Sequence, residues 1–183
     1  TILGCGSSGG VPRIGNDWGL CDAANPRNFR RRCSLLLQRE GLEGNTCVVV
    51  DTSPDFREQA LAANLGSLDA VWYTHEHADH THGIDELRGF YLRQRRLIPI
   101  WADDETLRVL QLRFAYCFAS APGSDYPPVL EARRIVAGSD LTTVGDGGEI
   151  RGLPFRLRHG AIDALGFRVG GMAYTPDLND IPD

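Results

Sequence analysis

Thr74-His75-Glu76-His77-Ala78-Asp79-His80 is the stretch from which the rest of the chain is read. The chain has five histidines, and four of them, His75, His77, His80 and His82, fall within eight residues. Histidines placed by core packing alone do not crowd in this way. Imidazole and carboxylate together are the ligand types of zinc, and they suit manganese and iron as well. Alternation in a short turn sends His75 and His77 one way and leaves Asp79 and His80 to face a second ion. The segment follows an apolar run, Asp69 to Thr74, of the kind that forms a buried strand. It therefore sits at the carboxyl end of a strand, where α/β sheets place their sites. The expectation is a centre for two divalent metal ions, zinc or manganese, with iron compatible.

The elements around it are mixed. Thr1 to Cys5 reads as a strand running into glycines. Ser34–Gln38 and Thr46–Val50 read as a hairpin about a Gly41–Asn45 turn. A helix is expected from Ser53, Pro54 and Asp55, with Phe56, Ala60 and Leu61 on one face and Gly66 stopping it after Leu65. Gly83–Arg93 and Glu105–Phe118 read as helices and Leu97–Ala102 as a strand. Several short strands follow, ending with Gly166–Val169 and Met172–Thr175. Strands and helices so interspersed predict an α/β (α+β) fold of mixed sheets covered by helices.

Composition bounds the function. The 183 residues fit one domain, and the net charge of −5 argues against a general nucleic-acid coat. All nineteen basic residues are Arg and none is Lys. Genomic bias accounts for that. Phosphate recognition by the guanidinium fork is the functional alternative, with Arg30–Arg32 and Arg93, Arg95 and Arg96 as the runs that could serve it. The five cysteines (5, 21, 33, 47 and 117) form no C-x-x-C pair, which suits a reducing cytoplasm better than a disulfide framework. No apolar run is long enough to cross a membrane, and no secretory signal is visible. Gly4-Cys5-Gly6-Ser7-Ser8-Gly9 matches a dinucleotide fingerprint in letters, but Val11-Pro12-Arg13-Ile14-Gly15 cannot open the helix that such a site needs.

The His75-x-His77-x-Asp79-His80 segment resembles the signature of the metallo-β-lactamase superfamily. That resemblance implies a four-layer αβ/βα sandwich holding two metals. It implies further ligands in His159 of Arg158-His159-Gly160 and in Asp177 of Tyr174-Thr175-Pro176-Asp177. His75, His77 and His159 would hold one ion, Asp79 and His80 the other, and Asp177 would bridge them, with Asp79 and Asp177 as the catalytic carboxylates. Asp51, after Val48-Val49-Val50, would orient ligands from behind. His82 is carried either as a hydrogen-bonding residue under the loop or as a substrate contact, and Glu76 is expected to point to solvent or to an Arg. Gly4 to Pro12, Arg32-Cys33-Ser34 and His82-Gly83-Ile84-Asp85-Glu86-Leu87-Arg88 narrow the likeness to one branch. That branch contains the cyclic-phosphate phosphodiesterase associated with carbon–phosphorus lyase. The tRNA 3′-end endonuclease and the pyrroloquinoline quinone biosynthesis B protein are similar, less closely.

Two departures follow. The phosphodiesterase carries a cysteine-rich zinc knuckle after its Trp-Gly, whereas Trp18-Gly19 here is followed by Leu20-Cys21-Asp22-Ala23-Ala24-Asn25, so Cys21 is expected to ligate no structural zinc. The family also uses a histidine beyond the bridging aspartate, and none follows His159, so residues 1–183 are expected to be one metallo-β-lactamase-like domain lacking its C-terminal part. The function implied is a cytoplasmic, metal-dependent hydrolase. Its substrate would be a small cyclic phosphate or nucleotide diester, attacked by hydroxide held between the metals. Nucleic acid and membrane are not expected partners, and a homodimer is left open. The rivals are an RNA-processing nuclease of the tRNA 3′-end type and a non-enzymatic metal-binding relic.

Overall fold

Val48-Val49-Val50 is fully buried on both faces, as a strand must be when it lies between a helical layer and a second sheet. The computed structural model describes residues 1–182. Six strands form the first sheet: β1 (Ile2–Gly4), β2 (Ser34–Glu40), β3 (Asn45–Val50), β4 (Ala70–Trp72), β5 (Ile98–Ala102) and β6 (Leu130–Arg134), in that spatial order. β1, β2 and β3 pair antiparallel, and β3 to β6 pair parallel. The second sheet is an antiparallel meander of β7 (Leu141–Gly145), β8 (Gly148–His159), β9 (Ile162–Val169) and β10 (Met172–Tyr174).

Strand alternation splits the first sheet's side chains between two cores. Leu36, Val49, Val71, Tyr73 and Ile100 face a core shared with the helices α1 (Phe56–Ala62), α3 (Leu87–Gln94), α4 (Asp104–Arg113) and α5 (Ala115–Phe118). Leu35, Val48, Val50, Ala70 and Trp72 face the second sheet, meeting Leu141, Ile150, Leu165 and Phe167. Trp72 is the centre of this second core. Its ring lies 5.4 Å from that of Phe167, and its Nε1 donates to Thr143 Oγ1 at 3.2 Å. Gly152 makes room for it: a Cβ there would come within 2.6 Å of the indole.

The mixed two-sheet architecture is the one expected, and three of the four layers lie among the described residues: helices, first sheet, second sheet. No helix covers the outer face of the second sheet among those residues. Several element bounds differ from expectation for local reasons. Ser53 does not cap α1; its Oγ accepts from Asp55 N and donates to Gln59 Oε1, and Asp55 is the N-cap. The helix stops at Ala62, because Asn64 turns left-handed (φ 50°) and Leu65 N donates back to the Ala60 carbonyl. The 105–118 segment breaks at Phe114 (φ −124°, ψ 39°) into α4 and α5. Gly83–Arg93 begins as a 3-10 turn, Ile84–Glu86, before α3. The region expected to hold only short strands contains one of twelve residues, β8. Pro154 interrupts its sequence pattern yet costs no ladder bond to β7, whose pairing ends at Gly152.

Candidate metal centre

The site forms where pairing switches from antiparallel to parallel, at the carboxyl ends of β3 and β4. Asp51 leaves β3 fully buried and in a left-handed conformation, φ 62°, a geometry that Asp tolerates better than most residues. Its carboxylate then accepts three hydrogen bonds: from Thr74 N at 2.8 Å, Thr74 Oγ1 at 2.8 Å and His80 Nδ1 at 2.7 Å. Because the Thr74 hydroxyl donates to Asp51, it is left to accept from His75 Nδ1, 2.9 Å away. Asp51 therefore fixes two imidazoles, one directly and one through Thr74. Both are set with the proton on Nδ1 and with Nε2 turned to the site. Thr74 is the residue whose role the sequence reading missed; its only signal was a hydroxyl next to His75.

Four further side chains converge on the same space. The ligand-type atoms of His75, His77 and His159 lie within 4.8 Å of one another, and so do those of His75, His80 and Asp177. One oxygen ties the two groups together. Asp177 Oδ2 is 3.8 Å from His75 Nε2, 3.3 Å from His80 Nε2 and 3.6 Å from His159 Nε2. Asp79 Oδ2 stands 3.5 Å from His80 Nε2, beside the second group. α2 (Ala78–Thr81) makes this possible, because a single helical turn after His77 brings Asp79 and His80 back over the strand end. His159 is the last residue of β8, and Asp177 follows β10, so the second sheet supplies the other half.

The electrostatics favour a cation. Burial, helped by the nearby His80 and His77, pulls the His75 pKa down to about 3, so the ring is neutral and its Nε2 lone pair is free. Burial opposes charging of His80 too, but the carboxylates of Asp51, Asp177 and Asp79 outweigh it and push its pKa up to about 12. Interaction with His80 holds Asp79 at about 2 and lowers Asp177 as well. The carboxylates of Asp51, Asp79 and Asp177 crowd around the two buried rings, an arrangement that a cation would offset. The Nε2 atoms of His75 and His80 are buried with no hydrogen-bond partner. Buried polar atoms without partners are rare in native folds; of the four among the described residues, these two face the cluster. Donor set, charge and orphaned nitrogens thus fit divalent ions.

Not every expected residue joins. His82 is exposed, with Nδ1 3.2 Å from Thr81 Oγ1 and its ring edge-on to Phe114 at 5.4 Å, outside both groups. An Arg does reach Glu76, but Arg113 binds the carbonyl at 2.8 Å and not the carboxylate. The arginine runs are partly consumed by internal pairs, Arg32 with Asp55 at 3.2 Å and Arg96 with Asp69 at 2.6 Å. Cys21 is exposed and free.

A family model for the beta-lactamase superfamily domain matches residues 46–183. The chain belongs to that superfamily. The superfamily fold and the relatives below support a hydrolase. The chain is similar to a diphosphatase of the PhnP family, at 34% identity and a TM-score of 0.83, over 100% of this chain and 66% of that one. This agrees with the branch expected from the sequence. It resembles Zn(2+)-bound PqqB from Methylobacterium extorquens in fold, at 20% identity and a TM-score of 0.71, over 100% of this chain and 66% of that one. The short form of human tRNase Z also shares the fold, at 18% identity and a TM-score of 0.55, over 94% of this chain and 66% of that one. A curated relative, an octanoyltransferase of Porphyromonas gingivalis (strain ATCC BAA-308 / W83), is 35% identical over 187 residues, covering 98% of this chain. The chain spans only 35% of that protein's length, so the name describes a whole of which this region matches a part. No helix among the described residues is long and apolar enough to cross a membrane.

Proposed function

We propose that this chain carries the metal centre of a hydrolase acting on small phosphodiesters, a cyclic phosphate or a nucleotide being the substrate class. The observation that carries this reading is the position of Asp177 Oδ2, within 3.8 Å of the Nε2 atoms of three histidines from both sheets. Such an oxygen would serve both groups of candidate ligands. His75, His77 and His159 would hold one, His80 and Asp79 the other, with Asp177 between. When bound, such a pair supplies hydroxide at neutral pH and a Lewis-acid hold on phosphoryl oxygen. The chain's own residues orient: Asp51 and Thr74 lock the two buried rings, and Arg113 fixes the backbone between His75 and His77. The 34% likeness to a diphosphatase supports phosphorus as the centre attacked, and the net charge of −5 supports a small substrate over a nucleic-acid strand.

The test uses full-length protein loaded with zinc or manganese. Bis-p-nitrophenyl phosphate, cyclic nucleotides, a ribosyl cyclic phosphate, a pre-tRNA and a β-lactam are assayed side by side. Turnover of a small diester above the others is the expected result. Faster lactam or pre-tRNA cleavage overturns it, and full metal occupancy with no turnover of any substrate indicates a binding relic.

A further inference from the structure

The loops that carry His77 and His159 also wall a cleft of about 620 Å³. Glu76, between two of the histidines, forms one side. Ala161 and Ile162, in the β8–β9 hairpin that begins beyond His159, form another. The amino end of α4 and the segment after β6 close it. The volume lies within the roughly 300–1,000 Å³ of ordinary small-molecule pockets, and two of its lining residues lie close in the chain to candidate ligands, Glu76 beside His77 and Ala161 two residues after His159.

Its chemistry is selective. Seven charged residues line it, five acidic and two basic, a balance of three negative charges. Both guanidiniums are already engaged, Arg134 with Asp104 and Arg156 with Asp163, each at 2.7 Å. Asp103 is spent on capping α4, accepting from Thr106 N at 2.8 Å, and Glu105 is held by Arg108. The Glu76 carboxylate makes no ion pair or hydrogen bond among the described residues. Ile135, Ile162 and Leu165 supply an apolar wall. Carboxylates accept from hydroxyls, and paired guanidiniums keep N–H donors to spare. An apolar wall covers the C–H face of a ring. A second phosphate would meet the negative balance with no free cation to receive it.

We propose that this cleft binds the uncharged, hydroxyl-bearing part of the diester, a group of sugar or nucleoside size, and selects against substrates with a further phosphate there. The proposal rests on the phosphodiesterase reading above and names its substrate class. Glu76 is the specificity-determining residue: it touches the alcohol portion of the substrate and no reacting atom.

Three esters that release the same chromophore test it on the metal-loaded, full-length protein: methyl p-nitrophenyl phosphate, thymidine 5′-(p-nitrophenyl phosphate) and the latter bearing a 3′-phosphate. The expected kcat/KM for the thymidine ester exceeds both others by about tenfold, the worth of one hydrogen bond to a charged group. Glu76→Gln is expected to shrink both ratios, chiefly through KM. If neither unphosphorylated ester is turned over, the phosphodiesterase reading fails and this proposal falls with it. If both are hydrolysed with equal kcat/KM, or if Glu76→Gln leaves the ratios untouched, hydrolysis stands and the cleft assignment is overturned. Preference for the 3′-phosphorylated ester, or for a choline ester added as a cationic control, overturns the assigned chemistry as well.

Discussion

The two halves of the candidate metal centre are built in opposite ways. The half on the first sheet is compact in sequence and deeply buried. His75 and His80 are fully inaccessible, and their back nitrogens are held through Asp51 and Thr74 in a network that closes on itself. The half on the second sheet is two distant residues. His159 and Asp177 are only half-buried, and the one hydrogen-bond contact of the His159 ring, His77 Nδ1 at 3.3 Å, lies inside the site. Among the described residues, no hydrogen bond from behind fixes the His159 ring. Its place comes from β8, and so from the packing of one sheet on the other. One half is oriented by hydrogen bonds and the other by architecture, which separates what mutations should do.

The largest effect is expected where architecture is attacked. Phe167→Ala empties the intersheet core beside Trp72 and should cost about 3–5 kcal/mol of stability, weakening metal binding through His159 and Asp177. Denaturant unfolding measures the first and a competitive metal titration the second. A loss below about 1 kcal/mol would show that the second sheet is held by something other than this core. Asp51→Asn attacks the other half. An amide has a single acceptor oxygen for three donors, so metal affinity should fall about 10–100-fold. Unchanged affinity would mean that His75 and His80 are oriented without it. His159→Ala sharpens the contrast. It should reduce metal content while leaving the unfolding free energy of metal-free protein within about 0.5 kcal/mol of the parent, because the ring packs against no core. A larger loss would make His159 structural. Cys21→Ser should change neither metal content nor stability. A drop of one metal equivalent would reveal a further site.

The same division explains what could be read from the sequence. The local half was legible because its chemistry is consecutive: four histidines in eight residues after an apolar strand. Asp51, His159 and Asp177 were proposed only through the resemblance to a family. Alone, each is an ordinary residue at a strand end, and nothing near it in sequence announces the partner across the sandwich. Thr74 was not read as functional because a threonine before a loop is unremarkable until its donor and acceptor are known. The break at Phe114 and the early end of α1 at Ala62 come from backbone torsions, which composition does not encode strongly. β8 lies in a region expected to hold only short strands, and it runs through both Gly152 and Pro154. The glycine is required by Trp72, far away in sequence, and the proline is tolerated because β7 has ended.

Gly152 acts as a fulcrum. The strand that begins its close approach there carries His159 seven residues further on, an arm of about 23 Å at roughly 3.3 Å per residue. At the pivot the clearance is nil, since even a methyl group would press to 2.6 Å from the Trp72 ring. A wedge at that end must tilt the arm, and a long arm amplifies a small tilt into a large displacement at its tip. The spacing of the two candidate ligand groups is therefore cut at a residue that belongs to neither, and its tolerance is set by the thickness of an indole.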